Sequence, residues 1–222
     1  METYFRQQAK GANKRVRTRG ALIDSAIDVF SEKGFEEASI SEIAAVAGLA
    51  NGTFYNHFKD KDELAAASAG AIALEIAKQL DERMIDLEAG VSRIVVASFA
   101  FLRLASRYEP WGMVLVEQFQ RRPAAGAAAM QYMRADIQLA VEQRGLDVSV
   151  DDFLLDQLSA LMIAALRRQL SDGFREDLLH RTCEYLLRVL GLTPKQAQRE
   201  VQRVAGHALL GPDVTLVKFV TR

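Results

Sequence analysis

The chain has 222 residues, half of them hydrophobic, and a formal net charge of −1 at pH 7. Polar or charged residues break every apolar run well before the roughly 18 residues that a membrane-spanning helix needs, so no such helix is expected. The basic N-terminus lacks the apolar stretch of a secretory signal, and the single cysteine, Cys183, excludes an internal disulfide. We therefore expect a cytoplasmic protein.

Residue types that carry catalysis are sparse. The three histidines, His57, His180 and His207, do not stand at metal-ligand spacing, and one cysteine alone makes no catalytic triad. The sequence contains no glycine-rich phosphate loop, and its carboxylates are spread over amphipathic surfaces. These observations predict neither an enzyme nor a bound metal or cofactor.

Positive charge is concentrated near the N-terminus. Residues 1–20 contain six basic residues and one acidic residue, a net charge of +5, which leaves −6 for the rest of the chain. The basic residues are Arg6, Lys10, Lys14, Arg15, Arg17 and Arg19. This distribution suits a protein that touches DNA at one end, and residues 1–17, which lack apolar periodicity, are predicted to form a flexible basic arm. A solvated tail without DNA contacts is the alternative.

Helical periodicity begins after the arm. The first predicted helix carries an apolar stripe at spacings of three and four residues and ends at Gly34. The stripe consists of Leu22, Ile23, Ala26, Ile27 and Phe30. Ser39 and Glu42 form a capping-box pattern that opens a short second helix. A similar pattern over residues 60–63 opens a long fourth helix, which is expected to run to about Leu80.

The second and third helices are joined by a three-residue turn that contains Gly48, an arrangement typical of a helix-turn-helix. The third helix is predicted over about 51–57, with Phe54 and Phe58 as an inward pair at i, i+4. Its polar side chains, which can reach base edges or phosphates, are Asn51, Thr53, Tyr55, Asn56 and His57. Gly52 leaves room for a close approach of the backbone to DNA.

With these residues in place, segment 18–64 resembles the DNA-binding domain of TetR/AcrR-family regulators. The resemblance rests on Phe30 and Gly34, the pair Ile43-Ala44, the turn Ala47-Gly48-Leu49, the run Gly52-Thr53-Phe54-Tyr55, and Phe58, Lys59, Lys61 and Leu64. It implies common DNA contacts at Ser39, Thr53, Tyr55, His57 and Lys61, and variable, base-choosing positions at Asn51 and Asn56. Together with residue chemistry, it gives eleven candidate DNA-contact residues: Arg17, Arg19, Ser39, Asn51, Gly52, Thr53, Tyr55, Asn56, His57, Lys59 and Lys61.

Several of these assignments have alternatives. The family usually has Ser or Thr before the recognition helix, where this chain has Ala50, which cannot cap. Asn51 is then a candidate N-cap, a role that would withdraw it from base reading. Tyr55 could instead belong to the core, and His57 and the lysines at 59 and 61 could be solvated side chains without a DNA contact.

The remainder of the chain predicts further helices near 90–107, 111–120, 123–144, 151–171, 174–190 and 194–206. The fold class is therefore all-α, with an N-terminal three-helix helix-turn-helix domain. The resemblance implies that the C-terminal helical domain serves ligand binding and dimerisation. The expected divisions are 1–17 for the arm, 18–64 for DNA binding, 65–206 for regulation and dimerisation, and 207–222 for a C-terminal tail. The tail, rich in β-branched residues from Thr215 to Val220, could be an edge strand, a docked arm or disorder.

The resemblance implies a homodimer through the last two long helices, and both helices carry wide apolar faces. The first face consists of Leu154, Leu155, Leu158, Leu161, Met162, Ala165 and Leu166. The second consists of Leu178, Leu179, Cys183, Leu186, Leu187 and Leu190. The alternative is that these residues face the core of the monomer.

Aromatic and methionine residues cluster in the middle of the chain and could line an effector pocket, although aromatic residues at helical spacing more often belong to the core. The candidate ligand-binding residues are Phe99, Arg103, Trp111, Phe119, Met130 and Met133. We thus predict a transcriptional regulator, in the first instance a repressor, that a small molecule releases from a palindromic double-stranded operator. The alternative is a DNA-binding regulator whose helical domain serves only dimerisation or protein interaction.

Overall fold

The computed structural model describes residues 4–215, apart from the side chain of Pro123. Within that range the fold is all-α, as predicted, and the described residues contain no strand. The α-helices are α1 Tyr4–Gln8, α2 Lys14–Glu37, α3 Ile40–Val46, α4 Asn51–Phe54, α5 Lys61–Arg83, α6 Val91–Arg107, α7 Glu109–Arg121, α8 Ala127–Arg144, α9 Asp152–Asp172, α10 Glu176–Val189 and α11 Pro194–Arg203. Two 3₁₀ helices span Pro123–Gly126 and Ala208–Leu210. No helix within residues 4–215 combines the length and hydropathy needed to cross a bilayer.

Local capping residues set the boundaries of the N-terminal helices. Gly34 adopts φ 77° inside α2 and breaks its regular path, at the position where the sequence predicts an end. Ser39 accepts a hydrogen bond from Glu42 N at 3.2 Å and begins α3. The carboxylate of Glu42 pairs with Lys33 at 2.5 Å, so the N-cap half of the predicted capping box is present and Glu42 is used in an ion pair.

Helix α5 connects the two parts of the molecule. It packs against α2 in the N-terminal part and against α6, α7 and α8 in the C-terminal part. The buried face of α5 is built largely from alanine and isoleucine, which allows close approach by neighbouring helices. At Gly70, an added Cβ would lie 2.9 Å from the carbonyl oxygen of Ala125, so this contact depends on the absence of a side chain. A movement of α5 would therefore change the packing in both parts of the molecule.

Helix α6 forms the centre of the C-terminal part and packs against α5, α7, α8, α9, α10 and α11. Phe99, Leu102 and Leu104 on this helix are completely buried. Each such side chain contributes about 1.5–3 kcal/mol relative to its exposed state. The crossing of α6 and α7 is tight, because a Cβ at Gly112 would lie 2.4 Å from the carbonyl oxygen of Ala105.

The N-terminal segment differs from the predicted flexible arm. Helix α1 packs on the folded body: the backbone N–H groups of Phe5 and Arg6 donate to the buried carboxylate of Asp24 at 3.0 and 2.9 Å. The Phe5 ring stacks on Trp111 with centroids 5.7 Å apart. A five-residue helix is too short to display an apolar period, and its anchors lie far away in the sequence, which explains why periodicity indicated flexibility. Residues 1–3 lie outside the described residues.

The C-terminal segment is docked as far as residue 215. Leu209, Leu210 and Val214 are buried, and Arg83 and Arg107 donate to backbone carbonyl oxygens of this segment. Of the three alternatives left open by the sequence, the docked arm therefore describes 207–215. Most of the β-branched run from Thr215 to Val220 lies outside the described residues.

The apolar faces of α9 and α10 are used mainly within the monomer. Helix α6 packs against both helices, and all but two of the residues assigned to the dimer face are buried in the chain's own core. The two exceptions, Leu161 and Leu178, are partly exposed. The prediction underestimated how much apolar surface a central helix such as α6 can cover.

Candidate DNA-binding surface and effector cavity

Helix α4 is a short helix held by backbone hydrogen bonds. It begins after Ala50, whose side chain makes no capping hydrogen bond. The first backbone bond of the helix runs from Thr53 N to Ala50 O, at 2.8 Å. Regular helix ends at Phe54, three residues earlier than predicted, and a turn closed by Phe58 N donating to Phe54 O at 3.0 Å continues the path. Asn51 is the first helical residue and is exposed, so the alternative in which it serves as N-cap is wrong.

Two phenylalanines orient the helix. Phe54 and Phe58 are buried, with ring centroids 5.9 Å apart. Residues on the opposite side consequently face outward: Asn51, Gly52, Tyr55 and Asn56 are exposed, and Thr53 and His57 are partly exposed. Tyr55 is 58 % exposed, so it does not belong to the core.

Basic residues of α2 lie beside this polar face. The guanidinium of Arg19 stacks over the Phe58 ring at 4.9 Å, and Arg15 and Arg17 are exposed on the same helix. Burial, followed by the positive charges of Arg15 and Arg19, lowers the pKa of His57 from its ordinary value. Its Nδ1 atom is buried and has no hydrogen-bond partner among the described residues. An anionic group at the surface would complement this cluster.

Lys61 has a different role from the predicted phosphate contact. Its Nζ donates to the carbonyl oxygens of Phe35 at 2.6 Å, Ala38 at 2.8 Å and Glu36 at 3.2 Å. These acceptors use all three protons of the ammonium group and satisfy the C-terminal end of α2. The ammonium also lies 4.4 Å from the centroid of the Phe35 ring. Lys61 therefore ties the start of α5 to the end of α2, a contact between chain segments that the sequence does not place together.

Ser39 and Lys59, two further candidate DNA-contact residues, remain accessible to a ligand. Ser39 is exposed, and its oxygen accepts the capping bond while its O–H proton is left to donate. Lys59 is exposed, and its backbone N–H donates to the carboxylate of Glu63 at 2.6 Å. Glu63 thus reaches back as in a capping box, but to residue 59 instead of the N-cap Asp60, which itself accepts from Glu63 N.

A partly open cavity of about 70 Å³ lies among α5, α6, α8 and α9. Its walls are mostly apolar and consist of Ala73, Ala77, Leu80, Asp81, Met84, Ile94, Ala97, Phe101, Phe119, Gly126, Ala129, Met130, Tyr132, Met133, Asp136, Ser159, Met162 and Ile163. Three of the six predicted ligand-binding residues, Phe119, Met130 and Met133, are in this wall.

The other three predicted ligand-binding residues lie elsewhere. Phe99 is buried against His180, with ring centroids 5.0 Å apart, and Arg103 lies over the Phe99 ring and 3.3 Å from Glu176. Trp111 lies under the rings of α1. Phe101, and not Phe99, lines the cavity. Residues two positions apart on an α-helix differ by about 200° in direction, so the two rings lie on opposite sides of α6.

Sequence reasoning missed the two carboxylates of the cavity wall, Asp81 and Asp136. Arg93 joins them: its Nε lies 3.1 Å from an oxygen of Asp136, and its Nη2 pairs with Asp81. Asp136 also accepts from Gly90 N at 3.3 Å. One signal was available, because Asp136 stands on α8 between the apolar residues Met133 and Ala140, on the face that becomes buried.

Comparison with known proteins identifies the family of the N-terminal segment. Residues 22–68, which span most of α2 through the first part of α5, match the family described as bacterial regulatory proteins, tetR family. This segment belongs to the tetR family. The match covers the helix-turn-helix and the exposed face of α4.

The curated relatives of this chain match it over only part of its length. It is 35% identical over 91 residues to an uncharacterized HTH-type transcriptional regulator of Haemophilus influenzae, covering 40% of this chain and 44% of that one. It is 42% identical over 43 residues to the fatty acid metabolism regulator protein of Bacillus subtilis, covering 19% and 22% of the two chains. The chain thus matches less than half the length of these relatives.

Solved structures extend the similarity in fold to most of the chain. RolR in complex with resorcinol superimposes with a TM-score of 0.63 and 26% identity, over 86% of this chain and 95% of that chain. The regulator FadR of Bacillus subtilis in complex with stearoyl-CoA gives a TM-score of 0.60 and 15% identity, over 77% and 97%. At that identity, FadR supports the fold alone.

Proposed function

We propose that this chain is a DNA-binding transcriptional regulator of the TetR family, a repressor that a small effector releases from a palindromic operator. The observation that carries the proposal is the polar face of α4, which is exposed because Phe54 and Phe58 anchor the opposite face. A helix presented in this way fits the major groove of B-DNA.

The side chains on this surface divide into two roles. Asn51, Thr53 and Asn56 are assigned to base edges, since amides and hydroxyls can pair with bases in the major groove. Contacts with phosphates, which fix the register of the protein on DNA, are assigned to Arg17, Arg19, Ser39, Tyr55, His57 and Lys59. Gly52 allows close approach, since the space around its missing side chain is open for 4 Å.

A homodimer is proposed through α9 and α10, on a different set of residues from the predicted one. The outward sides of these helices expose Phe153, which is 72 % exposed, together with Tyr185 and Val189. Ala160 and Ala164 continue the exposed side of α9 and would allow close helix packing. A two-fold dimer presents two copies of α4, which match a palindrome when they are about 34 Å apart.

Effector control is proposed to act through α5. Its C-terminal half lines the cavity, and its N-terminal end is bonded to the end of α2 by Lys61. RolR, the neighbour solved with resorcinol, supports a small-molecule effector for this chain. An effector shifts the DNA-binding equilibrium only if it binds the two conformations with different affinity.

The cavity, at about 70 Å³, is smaller than the several hundred cubic ångströms typical of ligand sites. That size supports a second candidate, a DNA-binding regulator whose helical domain serves only dimerisation or protein interaction. A small-molecule screen by thermal denaturation separates the two functions. Stabilisation by a compact ligand supports effector control, and a complete lack of ligands supports the interaction module.

DNA binding is tested by selecting duplexes from a random pool with the full chain. We expect enrichment of a palindrome, a changed preference for Asn56→Ala and Thr53→Ala, and an unchanged preference for Gln202→Ala, an exposed control on α11. Loss of one base contact should cost about 1–3 kcal/mol of discrimination. Failure of the wild-type chain to enrich any sequence would refute the proposal.

A further inference from the structure

The charge is unbalanced at the end of the cavity where Asp81 and Asp136 lie. Asp136 and Asp81 both line the cavity, and the guanidinium of Arg93 lies between them. The side chains of Asp136 and Arg93 are only 11 % and 14 % exposed. Two carboxylates and one guanidinium leave a net charge of −1 at this end.

The hydrogen-bonding capacity of this end is also one-sided. Arg93 uses Nε on Asp136, Nη1 on the carbonyl oxygen of Met84 at 2.9 Å, and Nη2 on Asp81. Each carboxylate has about four acceptor sites, more than these bonds occupy. A ligand entering here therefore meets acceptors, to which it can donate O–H or N–H groups. A carboxylate or phosphate would instead bring a second unpaired negative charge into a poorly solvated site.

The remaining walls favour a compact aromatic body. Four of the six methionines of the chain, Met84, Met130, Met133 and Met162, line the cavity together with aromatic rings. Methionine side chains are unbranched and adaptable, and their sulfur atoms make favourable contacts with aromatic rings. An engineered cavity of about 150 Å³ accommodates benzene. This cavity, at about 70 Å³, is nearer to that size than to the much larger space that a long acyl chain requires.

From this arrangement we propose that the effector is a single-ring aromatic molecule without negative charge that donates a hydrogen bond from a hydroxyl or amine to Asp136 or Asp81. The inference rests on the proposed function in that it names the class of effector. It also makes a claim about binding to the free protein that does not require DNA.

The test is calorimetric titration of the DNA-free, full-length protein with phenol, toluene, benzoate and palmitate. Phenol and toluene have nearly the same size, so their comparison isolates the donor group, and benzoate isolates the charge. We expect phenol to bind at least about 10-fold more tightly than each of the other three. Equal binding of toluene, tighter binding of benzoate or palmitate, or no binding of phenol would overturn the inference.

Charge-neutral variants locate the site. Asp81→Asn and Asp136→Asn should each reduce the preference for phenol over benzoate by at least about 5-fold, while Asp86→Asn, an exposed neighbour with the same charge change, should leave it unaltered. Asp81 is the more exposed of the two cavity carboxylates, so its variant remains informative if Asp136→Asn fails to fold. An unchanged preference in Asp81→Asn would place the ligand elsewhere and overturn the assignment.

Failure of the proposed function gives a different result. If phenol binds as expected and the protein selects no DNA sequence, the effector class stands and the regulator proposal fails. If the protein selects a palindrome and phenol shows no preference over toluene and benzoate, the regulator proposal stands and the effector class is wrong.

Discussion

Tyr4→Phe tests whether helix α1 is an integral part of the folded body. The Tyr4 hydroxyl donates to Glu75 Oε1 at 2.5 Å and accepts from the side-chain amides of Gln79 and Gln8, each at 2.8 Å. Burial, followed by the hydrogen bond and the charge of Glu75, raises the pKa of Tyr4 far above its ordinary value, so the hydroxyl stays protonated. Phenylalanine keeps the ring contact with Trp111 and removes only the hydroxyl.

The size of the effect follows from the groups that lose a bond. A hydrogen bond to a charged group contributes about 1.5–3 kcal/mol. Glu75 keeps its bond from Gln79 at 2.6 Å, so we place the loss in the free energy of unfolding at about 1–2 kcal/mol. For a chain of this length, each kcal/mol lowers the melting temperature by about 2–4 °C, which gives a decrease of roughly 2–8 °C.

The assay is thermal denaturation followed by circular dichroism, with urea titration as a second measure of stability. Tyr55→Phe is the matched control, because it deletes the same hydroxyl from a tyrosine that is largely exposed, and it should melt like the wild type. A Tyr4→Phe protein that also melts like the wild type would refute the packing of α1 and restore the flexible arm.

The remaining predictions concern Lys61, His57 and Gly112. Lys61→Met should lower the free energy of unfolding by roughly 2–4 kcal/mol, because three carbonyl oxygens lose their hydrogen bonds to a charged donor. Unchanged stability together with a smaller salt dependence of DNA binding would indicate a phosphate contact instead. The pKa of His57 is lowered in the free protein and a bound phosphate would raise it, so DNA affinity measured by fluorescence anisotropy should increase as the pH falls through the bound-state pKa, with the full gain below the free-state pKa. His57→Gln should flatten that dependence, and a profile identical to the wild type would remove His57 from the interface. Gly112→Ala should lower the free energy of unfolding by about 1–3 kcal/mol, because the added Cβ would lie 2.4 Å from the carbonyl oxygen of Ala105. Gly52→Ala, where the space is open, should leave the melting temperature unchanged. Equal melting temperatures for the two variants would contradict the tight crossing of α6 and α7.

Sequence patterns predicted the helices because their signals are local. The N-cap at Ser39, the glycine at 48 and the inward pair Phe54 and Phe58 all act within a few residues of one another, and each has its expected place in the structure. The contacts that were missed join distant segments. Lys61 reaches carbonyls 23 to 26 residues away, and Tyr4 reaches Glu75, 71 residues away, which no pattern along the chain specifies.

The residues of the effector cavity were predicted in part. Composition correctly drew attention to the aromatic and methionine residues of the middle helices, and Phe119, Met130 and Met133 do line the cavity. Which side of α6 faces the cavity depends on tertiary packing, so Phe99 was chosen where Phe101 belongs. The same limit applies to α9 and α10, whose apolar faces could equally have pointed toward a partner or toward α6.

The central claim, that two copies of α4 read successive major grooves, is tested most directly by chemical protection of the selected duplex. Dimethyl sulfate methylates guanine N7 in the major groove and adenine N3 in the minor groove, so the two reactions report on different grooves. The proposed function predicts that the wild-type protein protects guanine N7 in two patches whose centres are about 10 base pairs apart and symmetric about the dyad. Guanine N7 that stays fully reactive across both half-sites, while the protein remains bound, would contradict it.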